Sequence, residues 1–361
     1  MSFGICAAQS AAPSAGAEHL RRWLARNPDA DLDRDGTLTA AEAWRWQSEA
    51  PRRARAGQAR KKQAAAEAKK NGRPLPPSAS APRLAPDHAN LRYGPRERNL
   101  LDLWLAKTPA PAPLVLFYHG GAWKISDKRA ISDTFVRACL AAGVSVAAVN
   151  YTFTTTAPLP APHLDSARAL QFLRHHAAAY NLDPKRTAAF GASAGAGISL
   201  WLAFHDDLAD PQNPDPVLRH STRLTCAGSI NGQCTYDPFV IRKWIGEPAF
   251  RHSVFLAAYG VKTHDDLADP KLRPLIKEMA AITHLSSDDP PVFQTAREPD
   301  APLPSDDLPR GTGMHHPIFA HKLKAALDFL HIENTYVHAV DTDNDPQLEM
   351  LEFFNRHFGL K

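Results

Sequence analysis

The 361-residue sequence lacks a long apolar run and is poor in cysteine. No stretch is apolar for long enough to cross a membrane as a helix, so we expect no membrane span. Its four cysteines, at positions 6, 139, 226 and 234, do not have the spacing of a metal site, and its 17 histidines form no metal-binding motif. Cys226 and Cys234 are candidates for a disulfide, but free thiols are equally compatible with the sequence.

One segment is poor in acidic residues. Residues 51–73 are rich in alanine, lysine and arginine but contain a single acid, Glu67, and residues 74–86 are rich in proline. This composition predicts a linker over residues 51–90, with a solvated helical part followed by an extended spacer. A basic run can bind nucleic acid, but this one has no interleaved aromatic residues, so we expect no nucleic-acid partner.

Upstream of the linker, residues 18–50 predict a small helical segment that binds calcium. Residues 31–42 match the loop of an EF-hand at each diagnostic position, and helices are expected on both sides. Gly36 allows the sharp turn that this loop requires. We expect Ca²⁺ as a structural or regulatory cofactor, bound weakly because only one such loop is present. The oxygen ligands would come from Asp31, Asp33, Asp35, the carbonyl of Thr37, and Glu42.

The start of the chain bears on where the protein acts. Residues 1–17 are rich in small residues, which fits the remnant of a signal peptide or a disordered start, although they contain no basic segment. An EF-hand favours a compartment with high calcium, so we expect an extracytoplasmic or secreted protein. The helical segment is also a candidate docking module for a partner protein or a polysaccharide.

Two glycine-containing motifs carry the chemistry, and the first surrounds a serine. Residues 187–190 predict a strand that leads into Gly-Ala-Ser-Ala-Gly at 191–195 and then into an apolar helix. Such a turn holds Ser193 in a strained backbone conformation and exposes its hydroxyl group. Glycines are needed there because a Cβ at either position would strike the neighbouring helix or strand. The amide of Ala194, at the positive end of the helix, would face a developing oxyanion.

The second motif, His-Gly-Gly-Ala-Trp at residues 119–123, follows the apolar run 114–118. That run is typical of a strand buried on both faces of a parallel sheet. The glycines allow the backbone amides of Gly120 and Gly121 to approach a substrate oxygen. Together the two motifs predict a serine nucleophile, Ser193, beside an oxyanion hole formed by the amides of Gly120, Gly121 and Ala194.

In these motifs the sequence resembles the α/β-hydrolase superfamily, and within it the hormone-sensitive-lipase-like and carboxylesterase-like enzymes. The resemblance covers the region 91–361 and includes residues 118–123, 127–128, 149–151, 157–160 leading to Asp165, and 182–186. It implies an α/β fold with an eight-stranded, mostly parallel sheet and helices on both faces. It also implies hydrolysis of carboxylic esters through an acyl-enzyme, without a redox cofactor.

The alternation of strands and helices supports the same architecture from the residues themselves. Such alternation requires parallel pairing with right-handed crossovers. Residues 91–105 predict an antiparallel hairpin at the sheet edge, and residues 206–284, rich in proline and charge, predict a cap inserted over the site. Further strands are expected over residues 144–149, 223–230, 291–295 and 335–340, and helices over 163–180 and 317–330.

A carboxylate that orients the catalytic histidine is expected in the loop after the strand at 291–295. Asp300 matches the position that the family uses. Glu298 is its local competitor, and the pair Asp306 and Asp307 lies further along the same loop. We therefore predict Asp300 as the acid.

The histidine is absent from the place where the family has it, just after the last strand, because residues 341–346 read Asp-Thr-Asp-Asn-Asp-Pro. Without an imidazole base the serine hydroxyl is a poor nucleophile. We predict that a displaced histidine, either His315 or His316, supplies the base. The other candidates are His338 and His357, which are expected to pack in the fold, and His252 and His264, which would come from the cap.

The sequence thus predicts a serine carboxylesterase whose substrate is a small-molecule ester or an acylated polysaccharide. The alternative is a binding protein on the same scaffold that is weakened or inactive as an enzyme. The two hypotheses differ in one observable, which is whether an imidazole lies within hydrogen-bonding reach of Ser193 Oγ.

Overall fold

The computed structural model describes residues 15–50, 52–56, 58–59 and 83–360. Most of the possible signal remnant, most of the predicted linker, and Cys6 lie outside these residues. Within them, no helix combines the length and the apolar character that crossing a membrane requires.

An eight-stranded sheet lies at the centre of the chain after residue 83, with the strand order β1-β2-β4-β3-β5-β6-β7-β8. β2 is antiparallel to both β1 and β4, and the other neighbouring pairs are parallel. The mostly parallel sheet and its antiparallel edge hairpin are therefore confirmed. The strands are β1 His88–Arg92, β2 Leu100–Trp104, β3 Ala112–Tyr118, β4 Ser145–Val149, β5 Leu182–Ala192, β6 Cys226–Ile230, β7 Val292–Ala296 and β8 Asn334–His338.

Helices cover both faces of this sheet. Along β3 the side chains alternate between two apolar clusters, with Leu116 in one and Val115 in the other, as the period of a strand requires. α4 and α5 contribute to the first cluster, and α3 and α11 to the second. The helices are α1 Ala15–Arg26, α2 Ala40–Ser48, α3 Asp133–Ala141, α4 Ala161–His175, α5 Ala194–Phe204, α6 Pro238–Trp244, α7 Glu247–Phe250, α8 Val254–Tyr259, α9 Arg273–Glu278, α10 Ile318–Phe329 and α11 Pro346–His357.

The predicted cap over residues 206–284 needs correction. β6 lies inside this range, yet it pairs with β5 and β7 in the interior of the sheet, so the range is not one insertion. The part before β6 packs beside α4, where the side chain of Gln171 donates to the carbonyl of His220. The part after β6 contains α6 to α9, and its residue Val254 lines the cleft at Ser193.

The three described cysteines, Cys139, Cys226 and Cys234, are buried free thiols. The candidate disulfide between Cys226 and Cys234 is therefore not formed. Burial raises the pKa of Cys234 to about 12, which keeps its sulfur protonated and unreactive at neutral pH.

The N-terminal helices α1 and α2 form a third apolar cluster that also includes a residue from beyond β8. Trp23 from α1, Leu38 and Ala43 are buried together with Val340. A salt bridge of 3.0 Å between Arg22 Nε and an Asp341 carboxylate oxygen borders this contact. The sequence predicted the helices, but not that they would pack against the hydrolase-like region.

His163, on α4, is a fully buried histidine. Its ring lies between Trp123 and Trp201, with centroids 5.4 Å from each. Neither of its ring nitrogens has a hydrogen-bond partner among the described residues. Burial lowers its pKa from 6.5 to about 3, with a smaller effect from His205, so the ring stays neutral in the folded protein.

This histidine makes stability depend on pH. The unfolded chain binds a proton at His163 near pH 6.5 but the folded protein only near pH 3, so wild-type stability falls as the pH drops through that window. In a His163→Leu variant this contribution is absent. When the pH is lowered from 7 to 5, wild type therefore loses about 2 kcal/mol of unfolding free energy that the variant does not lose. We expect the difference in unfolding free energy, variant minus wild type, to rise by that amount. Urea titrations at both pH values measure it, and an unchanged difference would contradict a buried neutral ring.

Candidate active site

Ser193 lies on the turn between β5 and α5, in a backbone conformation that is strained for a residue with a side chain. Its φ is 53° and its ψ is −119°. Its amide donates to the carbonyl of Ile230 at the end of β6, with a distance of 2.9 Å, which fixes the turn to the sheet. A Cβ at Gly195 would lie 2.7 Å from the carbonyl oxygen of His119, so this glycine lets the two motifs approach each other.

His315 is the imidazole that contacts the serine. Its Nε2 lies 2.8 Å from Ser193 Oγ, within hydrogen-bonding distance. His315 belongs to the β7–α10 loop, residues 297–317, and not to the segment that follows β8. Of the two neighbouring histidines predicted from the sequence, His315 thus lies at the serine.

Its neighbour His316 faces the other way. Its half-buried ring stacks on Trp44 of α2, and its Nε2 lies 3.0 Å from the carbonyl oxygen of Ala301. Burial lowers the pKa of His316. Consecutive residues of a loop direct their side chains to different sides, which explains why only one of this pair reaches Ser193.

Glu298 is the carboxylate beside the histidine. Its Oε1 lies 3.5 Å from His315 Nδ1, the ring nitrogen opposite the serine. Its residue is only 8% exposed, and Oε2 has no hydrogen-bond partner among the described residues. A contact of this kind often tightens into a hydrogen bond only when substrate binds. Ser193, His315 and Glu298 thus have the arrangement expected of a nucleophile, a base and an acid that orients the base.

The prediction of Asp300 as this acid is corrected by the geometry. Asp300 Oδ2 lies 2.7 Å from Nε2 of His321 on α10, away from His315. Burial alone would raise the pKa of Asp300, but the hydrogen bond and charge of His321 outweigh it and lower the pKa. Glu298 lies only two residues after the end of β7, so the strand holds it at the edge of the sheet. This short separation from the strand is the sequence feature that favours Glu298 over Asp300 as the acid.

The other candidate acids and histidines lie in structural contacts. Asp306 accepts a hydrogen bond from the amide of Glu247 at the start of α7, whereas the amide of Asp307 donates to the hydroxyl of Ser305. His357 lies in α11, beside Glu333. His264 contacts the carbonyl of His252, and His252 lines the cleft with a pKa that burial lowers to about 4.

His338 has a role that the sequence did not reveal. It lies at the end of β8 opposite Ala296 of β7, and its Nε2 lies 2.8 Å from the carbonyl oxygen of Glu298. The neighbouring parallel strand therefore holds the backbone of the acid. Predicting this contact would require the register between β7 and β8, and the hydrophobic pattern of the sequence does not determine that register.

The oxyanion motif lies opposite the serine. Gly121 and Ala194 line the same cleft as Ser193, and Gly120 lies against the serine turn, where a Cβ would lie 2.7 Å from the carbonyl oxygen of Ala192 and 3.5 Å from Ser193 Cβ. The indole of Trp123 donates to the Ala194 carbonyl at 3.1 Å and so ties the two motifs together. The backbone of Gly121 and Ala194 therefore borders the space beside Ser193, as expected of an oxyanion hole.

The histidine of this motif, His119, holds the glycine loop in place. The hydroxyl of Tyr151 donates to the His119 carbonyl at 2.6 Å, and the two rings stack with centroids 4.2 Å apart. Burial lowers the pKa of His119 to about 4, so its ring is neutral at pH 7. His119 therefore has a structural role, because His315 is the histidine that lies next to Ser193 Oγ.

The cleft above Ser193 has a volume of about 460 Å³. Ile125, Val254 and Met314 give it apolar walls, and Lys124 and Gln233 add polar groups. Ile125 is 68% exposed, which places an apolar side chain at the surface end of this cleft. A larger groove, of about 660 Å³, lies between α4 and the segment near Leu218 and contains none of the reacting groups.

The predicted calcium loop brings carboxylates together. One oxygen each from Asp31, Asp33 and Asp35 lies within 4.8 Å of the others. Gly36 adopts a φ of +84°, which permits the turn. No salt bridge joins these three carboxylates to a basic residue of the described chain, so their negative charge is not neutralised there.

Glu42, the last predicted ligand, turns its carboxylate back to the loop. Its Oε1 accepts from the amide of Leu32 at 3.1 Å, and its Oε2 accepts from the amide and hydroxyl of Thr39, which starts α2. The hydrogen bonds from Thr39 lower the pKa of Glu42. The loop therefore holds hard oxygen donors of the type that calcium prefers.

Comparison with known proteins finds a relative that is named an esterase. The BD-FAE family model matches residues 101–226. The chain is 27% identical over 227 residues to Esterase LipQ of Mycobacterium tuberculosis, covering 62% of this chain and 51% of that protein. It thus spans about half the length of this relative.

Two solved structures share the architecture. The truncated form of a carbohydrate esterase from gut microbiota has a TM-score of 0.56 at 19% identity, covering 75% of this chain and 96% of that one. The acetyl ester-xyloside bifunctional hydrolase from Caldicellulosiruptor lactoaceticus has a TM-score of 0.59 at 19% identity, covering 76% and 98%. The chain has the α/β-hydrolase fold. The esterase names among its relatives support an enzyme of the carboxylesterase type.

The assignment of the acid can be tested on two carboxylates of the same loop. Glu298→Gln removes the charge beside His315 Nδ1, and we expect it to slow the reaction of Ser193 with a fluorophosphonate about a hundredfold. Asp300→Asn is the matched control, for which we expect a change of at most a few-fold. Rates of labelling followed by mass spectrometry measure both, and the reverse order would restore Asp300 as the acid.

Proposed function

We propose that this protein is a serine carboxylesterase. The observation that carries the proposal is the 2.8 Å distance between Ser193 Oγ and His315 Nε2. With a base in reach of the serine, the alternative of an inactive binding protein is not favoured.

In this mechanism Ser193 Oγ attacks the ester carbonyl while His315 Nε2 takes the hydroxyl proton. The amides of Gly120, Gly121 and Ala194 stabilise the oxyanion of the tetrahedral intermediate. His315 then gives the proton to the leaving alkoxide, which departs as the alcohol and leaves an acyl-enzyme. Water, deprotonated by the same ring, releases the acid and restores the serine. The negative charge of Glu298 stabilises the imidazolium that forms in each half.

The cleft supports a modest acyl group. Its volume of about 460 Å³ and the apolar walls at Ile125, Val254 and Met314 suit a short or medium chain in contact with carbon atoms. The proposed substrate is a small-molecule ester or an acylated polysaccharide. Two structural relatives bear names of carbohydrate-directed esterases, which is in keeping with the second class.

Hydrolysis of a short-chain nitrophenyl ester tests the proposal. We expect Ser193→Ala and His315→Gln each to lower kcat by at least about a thousandfold, because each removes a member of the reacting group. His331→Asn is a surface control whose positive φ asparagine tolerates, and we expect wild-type rates from it. Wild-type protein no faster than Ser193→Ala would refute the esterase function.

A second proposal concerns calcium at the N-terminal loop. The carboxylates of Asp31, Asp33 and Asp35, together with Glu42 and the carbonyl of Thr37, would hold the ion, whose charge offsets their mutual repulsion. An extracytoplasmic location, where calcium is abundant, and docking of the helical segment to a protein or polysaccharide partner remain predictions that depend on it.

Calcium titration of intrinsic tryptophan fluorescence, supported by calorimetry, tests this site. We expect Asp33→Asn to weaken Ca²⁺ binding by at least about tenfold, since it removes one charged ligand but keeps the side-chain oxygen that the Asp35 amide contacts. Asp29 lies just outside the loop, so the Asp29→Asn variant should bind Ca²⁺ with the affinity of wild type. Equal affinities for the two variants, or no binding by wild type, would contradict the assignment.

A further inference from the structure

Two indole rings of the N-terminal helices contact the backbone on either side of Glu298. Trp23 Nε1 lies 3.5 Å from the carbonyl oxygen of Arg297. Trp44 Nε1 donates to the carbonyl of Ala301 at 2.8 Å, in a buried contact. The first residues of the β7–α10 loop are therefore fixed from outside the hydrolase-like region.

Trp44 also reaches the far end of the same loop. Its ring, fully buried, stacks on His316 with centroids 5.4 Å apart and an interplanar angle of 22°. His316 directly follows His315, and its own Nε2 lies 3.0 Å from the Ala301 carbonyl that Trp44 contacts. One side chain thus joins the segment that carries Glu298 to the segment that carries His315.

The contacts of α1 reinforce this arrangement. His19 Nε2 accepts a hydrogen bond of 3.1 Å from the amide of Asp300. Burial lowers the pKa of His19 to about 4, with a smaller effect of His338, so its ring is neutral and can accept. The rings of His19 and His338 meet edge to face at 4.4 Å, and His338 contacts the Glu298 carbonyl.

Other elements hold the loop at two further points. The amide of Gly311 donates to the carbonyl of Pro248 in α7 at 2.7 Å, and the side-chain amide of Gln233 donates to the carbonyl of Met314, the residue before His315. These contacts each hold one end or the middle of the loop. Trp44 differs from them because it contacts both the Ala301 carbonyl and the His316 ring, and so links the two ends to each other.

We propose that Trp44 is a positioning residue that sets the distance between Glu298 and His315. An acid and a base on one loop, with no strand between them, are free to separate unless their flanking backbone is fixed, and misplacement by about 1 Å has a large effect on rate. The inference rests on the proposed esterase function for its kinetic part. It does not depend on calcium, since it follows from contacts of the ring.

Trp44→Phe tests the proposal in the full-length chain. Phenylalanine keeps a ring against His316 but removes the hydrogen bond to the Ala301 carbonyl. We expect kcat for a nitrophenyl ester to fall about tenfold with KM within about twofold, because Trp44 does not line the cleft at Ser193. We also expect about tenfold faster amide hydrogen exchange in peptides covering residues 297–303 and 313–318.

Trp46→Phe is the matched control on the same helix. Trp46 packs edge to face on Trp23, with ring centroids 5.4 Å apart, and beneath the guanidinium of Arg53. We expect this variant to have the wild-type kcat and wild-type exchange in both peptides. A control that slows turnover as much as Trp44→Phe would mean that any damage to α2 has the same effect, which contradicts a specific role of Trp44.

The two readouts separate the possible failures. Faster exchange with an unchanged kcat would overturn the proposal, since Trp44 would then only stabilise packing. Exchange and kcat both equal to wild type would overturn it as well. If wild-type protein hydrolyses no ester, the esterase function fails by itself, and exchange in the two peptides still decides whether Trp44 fixes the loop.

Discussion

The candidate active site depends on one loop remaining in place. Ser193 is fixed by β5, α5 and the hydrogen bond to Ile230, but both His315 and Glu298 belong to the β7–α10 loop. The contact of 2.8 Å between Ser193 and His315 therefore joins a rigid turn to a long connection. Whatever fixes the loop also fixes the base, and the described contacts come from β8, Gln233, α7, α10 and the two N-terminal helices.

The parts of the site that are local in sequence were predictable. The turn at Ser193 and the glycine motif at residues 119–123 follow directly from strands, and sterics within a few residues dictate their shape. The sheet and its antiparallel edge follow from hydrophobic runs and their alternation with helices. Each of these features depends on neighbouring residues, so a single sequence is sufficient to infer them.

The parts that depend on distant contacts were not predictable. Asp300 and Glu298 are two residues apart, and only the position of His321 on α10 shows that Asp300 is already paired. The sequence narrowed the base to His315 or His316, but Trp44, far upstream in the chain, occupies one face of His316 and leaves His315 to face the serine. The packing of α1 and α2 on the loop has no local signal at all.

The arrangement gives the N-terminal segment a structural connection to catalysis. The same helix, α2, is capped by Thr39, carries the proposed calcium ligand Glu42, and presents Trp44 to the loop. The structure places the proposed esterase site and a helical segment in direct contact.

The central claim is that His315, oriented by Glu298, is the base for Ser193. A crystal structure of the protein after reaction with an organophosphate tests it most directly. We expect a covalent adduct on Ser193, with its oxygen at the amides of Gly121 and Ala194, His315 Nε2 within hydrogen-bonding distance of the adduct, and Glu298 in contact with Nδ1. An unmodified serine, or an adduct approached by a different imidazole, would contradict the claim.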